Sequence, residues 1–390
     1  MNKEAFIEDI VFLTLREDSS VDEISKYIKE LEEKDWDEVV KFITFHSLFP
    51  AFYDRLITLK IKDIPSQVLS YLKSLYLLNL KRCLFLEEEL FKVLDSLGSA
   101  GIPAIPLKGI ILSRLLYGDI ALRQAPCDMD ILIPYDKIDK TEKNLLSLGY
   151  SFTMKEEQIN LTHKYRKEIT LQKNLHGFNL AIDLHWDFHE KFHDNYTHAG
   201  SFLENSEVLT IDNHRILFPL WEELLLFLST ASIARFEFVT LKYIQDIHCL
   251  INGKEINWEK LIQKSKLIRL DHLLYFSLKI TKELFKTKIP PEVLKEIQPF
   301  LLKEKFLNLW ITKKNILQNR DRIANSYIWR IPVLNLLYSN NIYDWFRLVY
   351  KKIFLPPQEV TGLIYNHPMS EGTWGIYIKR LLKVVIKKYR

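Results

Sequence analysis

The sequence predicts an α+β protein in which a small mixed sheet is flanked by helical regions, and three observations support this fold class. Apolar residues recur at helical spacing over roughly the first hundred positions. Short alternating runs typical of strands follow, and helical spacing returns after Pro219. We therefore divide the 390 residues into a helical N-terminal region (1–98), a central α/β unit (99–218) and a helical C-terminal region (219–390).

The N-terminal region carries recognisable signals for the beginning and end of helices. Ser19 or Ser20 is suited to cap the helix predicted for VDEISKYIKELEEK, since a serine hydroxyl accepts a hydrogen bond from a free N–H of the first turn. Gly98 and Gly101 are suited to end the last long helix, because glycine readily adopts the left-handed conformation found there. An all-helical region up to residue 98 is the expectation.

The central unit begins where IPAIPLKG predicts a short strand and a turn, followed by the helical segment ILSRLLYG. The run DKIDKTEKNLLSLGY carries a helical pattern. Alternation of apolar and polar residues predicts further strands in CDMDILIP (127–134), THKYRKEITLQK (162–173) and FNLAIDLHW (178–186).

Composition favours a soluble, cytoplasmic protein. Lys and Arg number 54 against 50 Asp and Glu, and a net charge of +4 does not indicate a nucleic-acid partner. The three cysteines lie far apart, which argues against a disulfide framework and a structural zinc site. Glu8 and Asp9 interrupt the N-terminal apolar stretch, so we expect a helix there and no signal peptide. The most apolar run, residues 224–234, is too short to cross a bilayer.

Three aspartates form the candidate catalytic and metal site. Side chains alternate along a strand, so Asp128 and Asp130 project to one side of CDMDILIP, and hard oxygen ligands of this kind suit Mg²⁺ or Mn²⁺. Asp183 lies in another alternating run, and pairing of the two strands would bring the three carboxylates together. Such a set can hold two divalent ions, one activating an attacking oxygen and one stabilising a leaving pyrophosphate. A DxD pair alone is also found in ordinary turns.

The turn at Lys108 and Gly109 is the candidate triphosphate site. Glycine lets the backbone approach a phosphate, the following helix offers free N–H groups, and the lysine adds a positive charge. Arg123, just upstream of the two aspartates, is a second candidate for a phosphate contact, although a surface arginine in a loop is the commoner case.

The segment LKGIILSRLLYGDIALRQAPCDMDILIP, followed by LSLGY and IDLHW, resembles the poorly characterised bacterial nucleotidyltransferase-like family within the polymerase-β superfamily. The resemblance extends more loosely over most of the chain, including FPLWEELLLFL at the start of the C-terminal region. It implies a polymerase-β-type nucleotidyltransferase core with metal carboxylates at Asp128, Asp130 and Asp183, and nucleotide contacts near Lys108 and Gly109. In the wider superfamily a serine follows the glycine, whereas Ile110 does so here, so triphosphate binding must differ in detail.

These observations together predict a Mg²⁺-dependent transfer of a nucleoside monophosphate from an NTP, for which ATP is one candidate, with release of pyrophosphate. The acceptor hydroxyl or phosphate is left open among a small molecule such as a sugar, a peptide, a protein and an RNA end. Lys242 is a nucleotide-contact candidate by analogy with related two-domain enzymes, while a surface ion pair with Asp246, four residues on, is the simpler interpretation.

Other interpretations remain in competition. A metal-dependent glycosyltransferase also uses DxD, although its strands and helices would normally alternate before that motif, and a non-catalytic nucleotide-binding or scaffold protein is the third class. HEKFH (189–193) matches HExxH, but its surroundings favour a polar loop over a zinc-binding helix. His185 shares the strand face of Asp183 and is a candidate for a supporting role. The basic tail IKRLLKVVIKKYR is compatible with a surface contact but better explained as a packed last helix.

Overall fold

The structure is a computed structural model, and it describes residues 3–175, 177–188, 199–233, 241–309 and 311–317, together with residues 336, 339, 343, 345 and 346. The HEKFH segment and the basic C-terminal tail lie outside the described residues, so the predictions for both stay predictions. Across the described part, no helix has both the length and the apolar composition that crossing a membrane requires.

The chain begins with five helices, as the apolar spacing predicts. Ser20 caps the second of them, because its hydroxyl accepts a hydrogen bond from the N–H of Glu23. The fifth helix runs for 34 residues and ends at Ser99, with Gly101 at a positive φ of 67° immediately beyond it. The five helices are α1 (Lys3–Leu15), α2 (Val21–Lys29), α3 (Glu33–Phe45), α4 (Phe49–Thr58) and α5 (Ser66–Ser99).

A five-stranded mixed sheet forms the centre of the fold. The strand order is β1-β2-β5-β4-β3; β2 and β5 are parallel, and the other three pairs are antiparallel. The sheet and its connections comprise β1 (Ile105–Pro106), α6 (Ile110–Tyr117), a 3-10 turn (Ile120–Leu122), β2 (Met129–Leu132), a 3-10 turn (Tyr135–Lys137), α7 (Ile138–Ser147), β3 (Ser151–Phe152), α8 (Glu156–Tyr165), β4 (Glu168–Leu175) and β5 (Phe178–His185).

The remaining elements are a hairpin and a group of helices. The hairpin strands form a separate antiparallel pair whose second strand packs beside β1. These elements are α9 (Ala199–Glu204), β6 (Ser206–Ile211), β7 (His214–Pro219), α10 (Trp221–Ile233), α11 (Lys242–Gly253), α12 (Trp258–Leu267), α13 (Asp271–Phe285), α14 (Pro291–Glu296), α15 (Leu301–Asn308) and α16 (Lys313–Leu317).

The two faces of the five-stranded sheet have different surroundings. One face is apolar, with Ile131, Ile182 and Leu184 fully buried in a hydrophobic core that extends from α1 to α13. The opposite face carries Asp130 and Asp183. On this face Leu132, the last residue of β2, packs in a small second cluster with Ile105, Leu107 and Phe202. The fold therefore leaves the aspartate-bearing face free of the main core.

The α+β class, with a small mixed sheet and helical regions before and after it in the chain, is confirmed. The polymerase-β-type core and the domain boundaries at 98 and 218 stay predictions. One strand differs from the expectation. The strand predicted for 162–173 begins only at Glu168, because residues up to Tyr165 complete α8. Strand alternation and the end of an amphipathic helix overlap in this segment, and the helical turn prevails in its first residues.

Candidate active site

Asp130 and Asp183 face each other on the two parallel strands of the sheet. They are register partners of β2 and β5, so both carboxylates rise from the same face, one strand spacing apart. Together with His185 they offer ligand atoms that all lie within 4.8 Å of one another. Asp128 precedes β2 by one residue, and its carboxyl group is close enough to hydrogen bond with Asp183 when protonated. The structure therefore brings the three predicted acids together.

Asp130 is buried between two positively charged or polarisable partners. Lys108 Nζ lies 3.0 Å from its Oδ2 atom, and His185 Nε2 lies 3.1 Å from its Oδ1 atom. Burial alone would raise the pKa of Asp130, but the hydrogen bond from His185 and the Lys108 ammonium outweigh it and bring the pKa to about 2. Asp130 is thus held as a carboxylate.

Asp128 has the opposite electrostatic environment. Partial burial raises the pKa of Asp128, and repulsion by the carboxylates of Asp130 and Asp183 raises it further, against the attraction of Lys108. Asp183 is half-buried, and its Oδ1 atom accepts a hydrogen bond of 2.7 Å from the Thr170 hydroxyl. A divalent cation among these oxygens would relieve the repulsion.

His185, a candidate for a supporting role, bridges two carboxylates. Its Nε2 atom faces Asp130 and its Nδ1 atom lies 2.9 Å from Glu168 Oε2, with the imidazole almost fully buried. Desolvation lowers the pKa of His185, but its interactions with the carboxylates of Asp130 and Glu168 prevail and raise it.

Sequence reasoning missed Glu168 and Thr170. They are register partners of His185 and Asp183 in the hairpin of β4 and β5. The alternation in KEITLQK already places the two on one strand face, so hairpin register was the signal that would have found them.

The Lys108 and Gly109 turn lies directly beside the acids. The N–H of Leu107 donates to the Asp130 carbonyl at 3.0 Å, which aligns the turn with β2. Gly109 has a φ of 86° at the start of α6, and a Cβ atom there would lie 3.2 Å from Pro126 Cγ. Only glycine fits this backbone without strain. The free N–H groups of the first turn of α6 therefore begin beside the predicted metal carboxylates.

Arg123 is buried and already has a strong partner. Its guanidinium makes a bidentate pair with Asp246, with Nε to Oδ1 at 2.8 Å and Nη2 to Oδ2 at 2.9 Å. The Tyr117 hydroxyl also donates to Asp246 Oδ1, at 2.8 Å. Arg123 is only 2% exposed and Asp246 is fully buried, so neither belongs to the protein surface. The predicted phosphate contact of Arg123 stays a prediction, and the geometry indicates a positioning role.

Lys242, at the start of α11, lies in a cluster of cations. Its Nζ atom is 5.8 Å from the centre of the Tyr243 ring, whose hydroxyl lies 3.5 Å from Lys108 Nζ. Desolvation lowers the pKa of Lys242 to about 8, with repulsion by Arg123 and Lys108 exceeding what attraction to Asp246 restores. The simpler interpretation, a surface ion pair between Lys242 and Asp246, does not hold, because Asp246 is buried against Arg123.

The chemistry of the acids fits a divalent cation, and Asp130 and Asp183 have carboxylate oxygens within 4.8 Å of each other. The buried Oδ2 atom of Asp130 accepts no well-aligned hydrogen bond from the described residues, despite the nearby ammonium. Asp128, Asp130 and Asp183 would hold Mg²⁺ or Mn²⁺ through carboxylate oxygens, the ligand type that these ions prefer. An imidazole nitrogen suits them less, and that of His185 is turned toward Asp130.

Comparison with known proteins gives a family match for this chain. The sequence model of a family described as uncharacterised nucleotidyltransferase matches residues 32–286, which is more than half of the chain and includes every site residue named above. The match confirms the resemblance noted in the sequence. None of the curated proteins matches the chain.

Proposed function

This chain belongs to the uncharacterised nucleotidyltransferase family, and on that premise we propose that it transfers a nucleoside monophosphate from an NTP to an acceptor, using divalent cations held by Asp128, Asp130 and Asp183. The observation that carries the proposal is the register of β2 and β5, which places Asp130 and Asp183 side by side with Lys108 against Asp130. Acids and cations so arranged match a triphosphate and its metal ions.

The proposed reaction is an in-line displacement at the α-phosphorus. The acceptor oxygen forms a bond to the α-phosphorus while the bond from that phosphorus to the bridging oxygen breaks, and pyrophosphate leaves with the electron pair. The acceptor, where it is a hydroxyl, loses its proton to Asp183 or to solvent; Asp183 is the acid farthest along the sheet from Lys108. Bound divalent cations supply charge neutralisation and activation of the attacking oxygen.

Positive groups on the β1 side of the site would hold the triphosphate. Lys108 and the N–H groups that begin α6 lie next to Asp130, and Lys242 approaches from α11. Burial lowers the pKa of Lys242, and repulsion by Arg123 and Lys108 adds to this effect; a bound anion would stabilise the ammonium form there. The pyrophosphate would therefore leave toward β1 and α6.

A labelling experiment tests the activity. The full-length protein is incubated with each of the four NTPs, MgCl₂ or MnCl₂, and a small-molecule extract of cells, and pyrophosphate release and nucleotide incorporation are measured. We expect both with wild type, and at least a hundredfold loss with Asp183→Asn or Asp128→Asn or on chelation of the metal, because the phosphate charge is then no longer neutralised. Asp37→Asn, an exposed aspartate on α3, is the matched control.

The outcomes separate the competing functions. Full activity of Asp128→Asn and Asp183→Asn would refute the metal assignment. A rise in melting temperature with NTP but no turnover would indicate a non-catalytic nucleotide-binding protein, and a rise only with nucleotide sugars would indicate a glycosyltransferase.

A further inference from the structure

We propose that the part of the open sheet face beyond Asp183 binds the acceptor, and that the acceptor is an uncharged polyhydroxyl compound of the sugar class. This inference rests on the proposed function for its orientation, but the surface itself is defined by the sheet register alone. We call this surface the neutral face; it consists of Ser151, Thr170, Gln172, Asn174, Asn179 and Ala181.

The register of three strands places these side chains together. Thr170 pairs with Asp183, Gln172 with Ala181, and Asn174 with Asn179, so each pair rises from the same face as the catalytic acid. Ser151 on β3 pairs with Gln172 and extends the face to the edge of the sheet. The alternate residues of the same strands point into the core, as Leu171 and Ile182 do.

The neutral face and the proposed phosphate-binding residues lie on opposite sides of the acids. Across the sheet, the order runs from Lys108 after β1, through Asp130 on β2 and Asp183 on β5, to Thr170 on β4. An in-line displacement needs the entering oxygen opposite the leaving one. With pyrophosphate drawn toward Lys108, the entering oxygen must approach from the β4 side, over the neutral face.

The chemistry of the face selects the acceptor. Each of its five polar members is an amide or hydroxyl, a group that both donates and accepts hydrogen bonds. Sugar hydroxyls have the same dual character. An RNA end would bring phosphates next to three acids without a cation on this face to balance them, and a peptide would find little apolar surface there.

The polar groups of the face are exposed but partly fixed. Ser151, Gln172, Asn174 and Asn179 are exposed. Asn174 Nδ2 donates to Asn179 Oδ1 at 2.9 Å, and the Thr170 hydroxyl donates to Asp183, so their orientations are set before any ligand arrives. The neutral face extends over four residues along β5 and two strand spacings across the sheet. Its dimensions are therefore about 13 by 10 Å, a size that suits one or two sugar rings.

Sugar binding is tested directly, without nucleotide. Saturation-transfer NMR is recorded on the full-length protein with glucose, N-acetylglucosamine, maltose and myo-inositol. We expect transfer to at least one of them, and at least a tenfold weaker affinity for it in the Gln172→Ala/Asn179→Ala variant. Both side chains are exposed, so this variant keeps the fold, and Gln263→Ala, an exposed glutamine on α12, is the matched control.

A second measurement links the face to the reaction. Pyrophosphate release from the preferred NTP is measured in the presence of Mg²⁺. The sugar that binds, a neutral serine peptide and an oligoribonucleotide are each added in a separate reaction. We expect the sugar to raise the rate at least tenfold in wild type and less than twofold in the face variant, while the melting-temperature shift with NTP stays the same in both.

The results separate the two proposals. Absence of saturation transfer to all four sugars, equal affinity in the face variant, or stimulation by the peptide or the oligoribonucleotide instead of the sugar would overturn the neutral face as a sugar site. Sugar binding that the face variant loses, in a protein that neither binds nor turns over NTPs, would support the sugar site and refute the nucleotidyltransferase activity.

Discussion

Asp128 and Asp130, two residues apart on one side of the chain, experience opposite electrostatic environments. Lys108 and His185 surround Asp130 and lower its pKa, whereas burial and neighbouring carboxylates raise the pKa of Asp128. From the sequence, clustering of like charges predicts that either Asp→Asn change leaves the melting temperature unchanged or raised. For Asp130 the structure reverses this expectation, because its charge balances a buried ammonium.

We therefore predict opposite stability effects for the two substitutions in metal-free buffer at pH 7. Asp130→Asn should lower the free energy of unfolding by about 3 kcal/mol, since the buried Lys108 ammonium loses its ion pair with Asp130. Asp128→Asn should leave it unchanged or raise it. Urea unfolding followed by circular dichroism measures both. Equal destabilisation by the two variants would contradict the charge assignment.

The sign of the pH dependence follows from the same two groups. The lowered pKa of Asp130 gives stability that is present above its ordinary pKa near 3.8 and is lost as the pH falls toward 2. The raised pKa of Asp128 acts in the other direction, with a cost that develops as the pH rises above 3.8. The two variants should therefore differ most near neutral pH.

We predict that Lys242 makes NTP affinity depend on pH above 8. Its pKa of about 8 reflects burial and the facing charges of Arg123, Lys108, Asp246 and Cys127. A bound triphosphate favours the ammonium form, so affinity should fall by up to about tenfold per pH unit as the pH rises above 8. Calorimetric titration with Mg²⁺ and ATP between pH 8 and 9.5 measures the slope. The Lys242→Arg variant should bind the NTP with an affinity that does not change over this pH range. A pH dependence retained in the Lys242→Met variant would contradict the assignment.

At the scale of elements, the buried pair of Arg123 and Asp246 joins α11 to the loop that leads into β2. The two residues are 123 positions apart, and Tyr117 at the end of α6 shares the same carboxylate. About one helical turn closer to the start of α11, the Tyr243 hydroxyl lies 3.5 Å from Lys108 Nζ, and Lys242 lies beside the Tyr243 ring. The pair therefore positions the cations of α11 against the phosphate side of the site.

We predict that Asp246→Ala destabilises the protein by about 3 to 5 kcal/mol, because an uncompensated guanidinium remains buried. Arg123→Met combined with Asp246→Leu should recover much of that loss, since an apolar pair needs no counter-charge. Glu296→Ala, which breaks the exposed pair with Lys266, is the control and should cost less than about 1 kcal/mol. Urea unfolding decides, and a double variant as unstable as Asp246→Ala would contradict the pairing argument.

Element types were largely predictable, whereas their partners were not. Alternation placed Asp128, Asp130 and Asp183 on strand-like runs, and the glycine in LKG marked the turn before α6. Nothing in those runs specified that β2 and β5 pair in parallel, because strand pairing depends on contacts between distant segments. Glu168 and Thr170 entered the site through the antiparallel pairing of β4 with β5.

At the scale of the whole molecule, the helices before and after the sheet share one core. Phe12 of α1 packs edge-on against Phe285 of α13 at 5.2 Å between ring centres, and Arg16 donates to the Leu284 carbonyl at 3.2 Å. The hydrophobic core of the first helices is thus completed by side chains of the C-terminal helices. The three predicted regions are consequently not three separate hydrophobic cores.

We predict that a fragment of residues 1–98 shows no cooperative thermal transition, because residues such as Phe12 would lose their partners. In the full chain, Phe12→Ala should lower the free energy of unfolding by about 3 to 5 kcal/mol. Differential scanning calorimetry of the fragment and the two full-length proteins measures these effects. A sharp transition in the isolated fragment would show that the N-terminal region is an independent domain.

The sequence by itself determined the class of fold, the helical regions, the strand faces of the three aspartates and the lysine-glycine turn, because side-chain periodicity and glycine geometry are local properties of the chain. Only the tertiary structure decided that Asp183 lies beside Asp130, that Arg123 is held by Asp246, and that uncharged groups border the acids. Those arrangements depend on pairing and burial between segments far apart in sequence, which a local pattern does not encode.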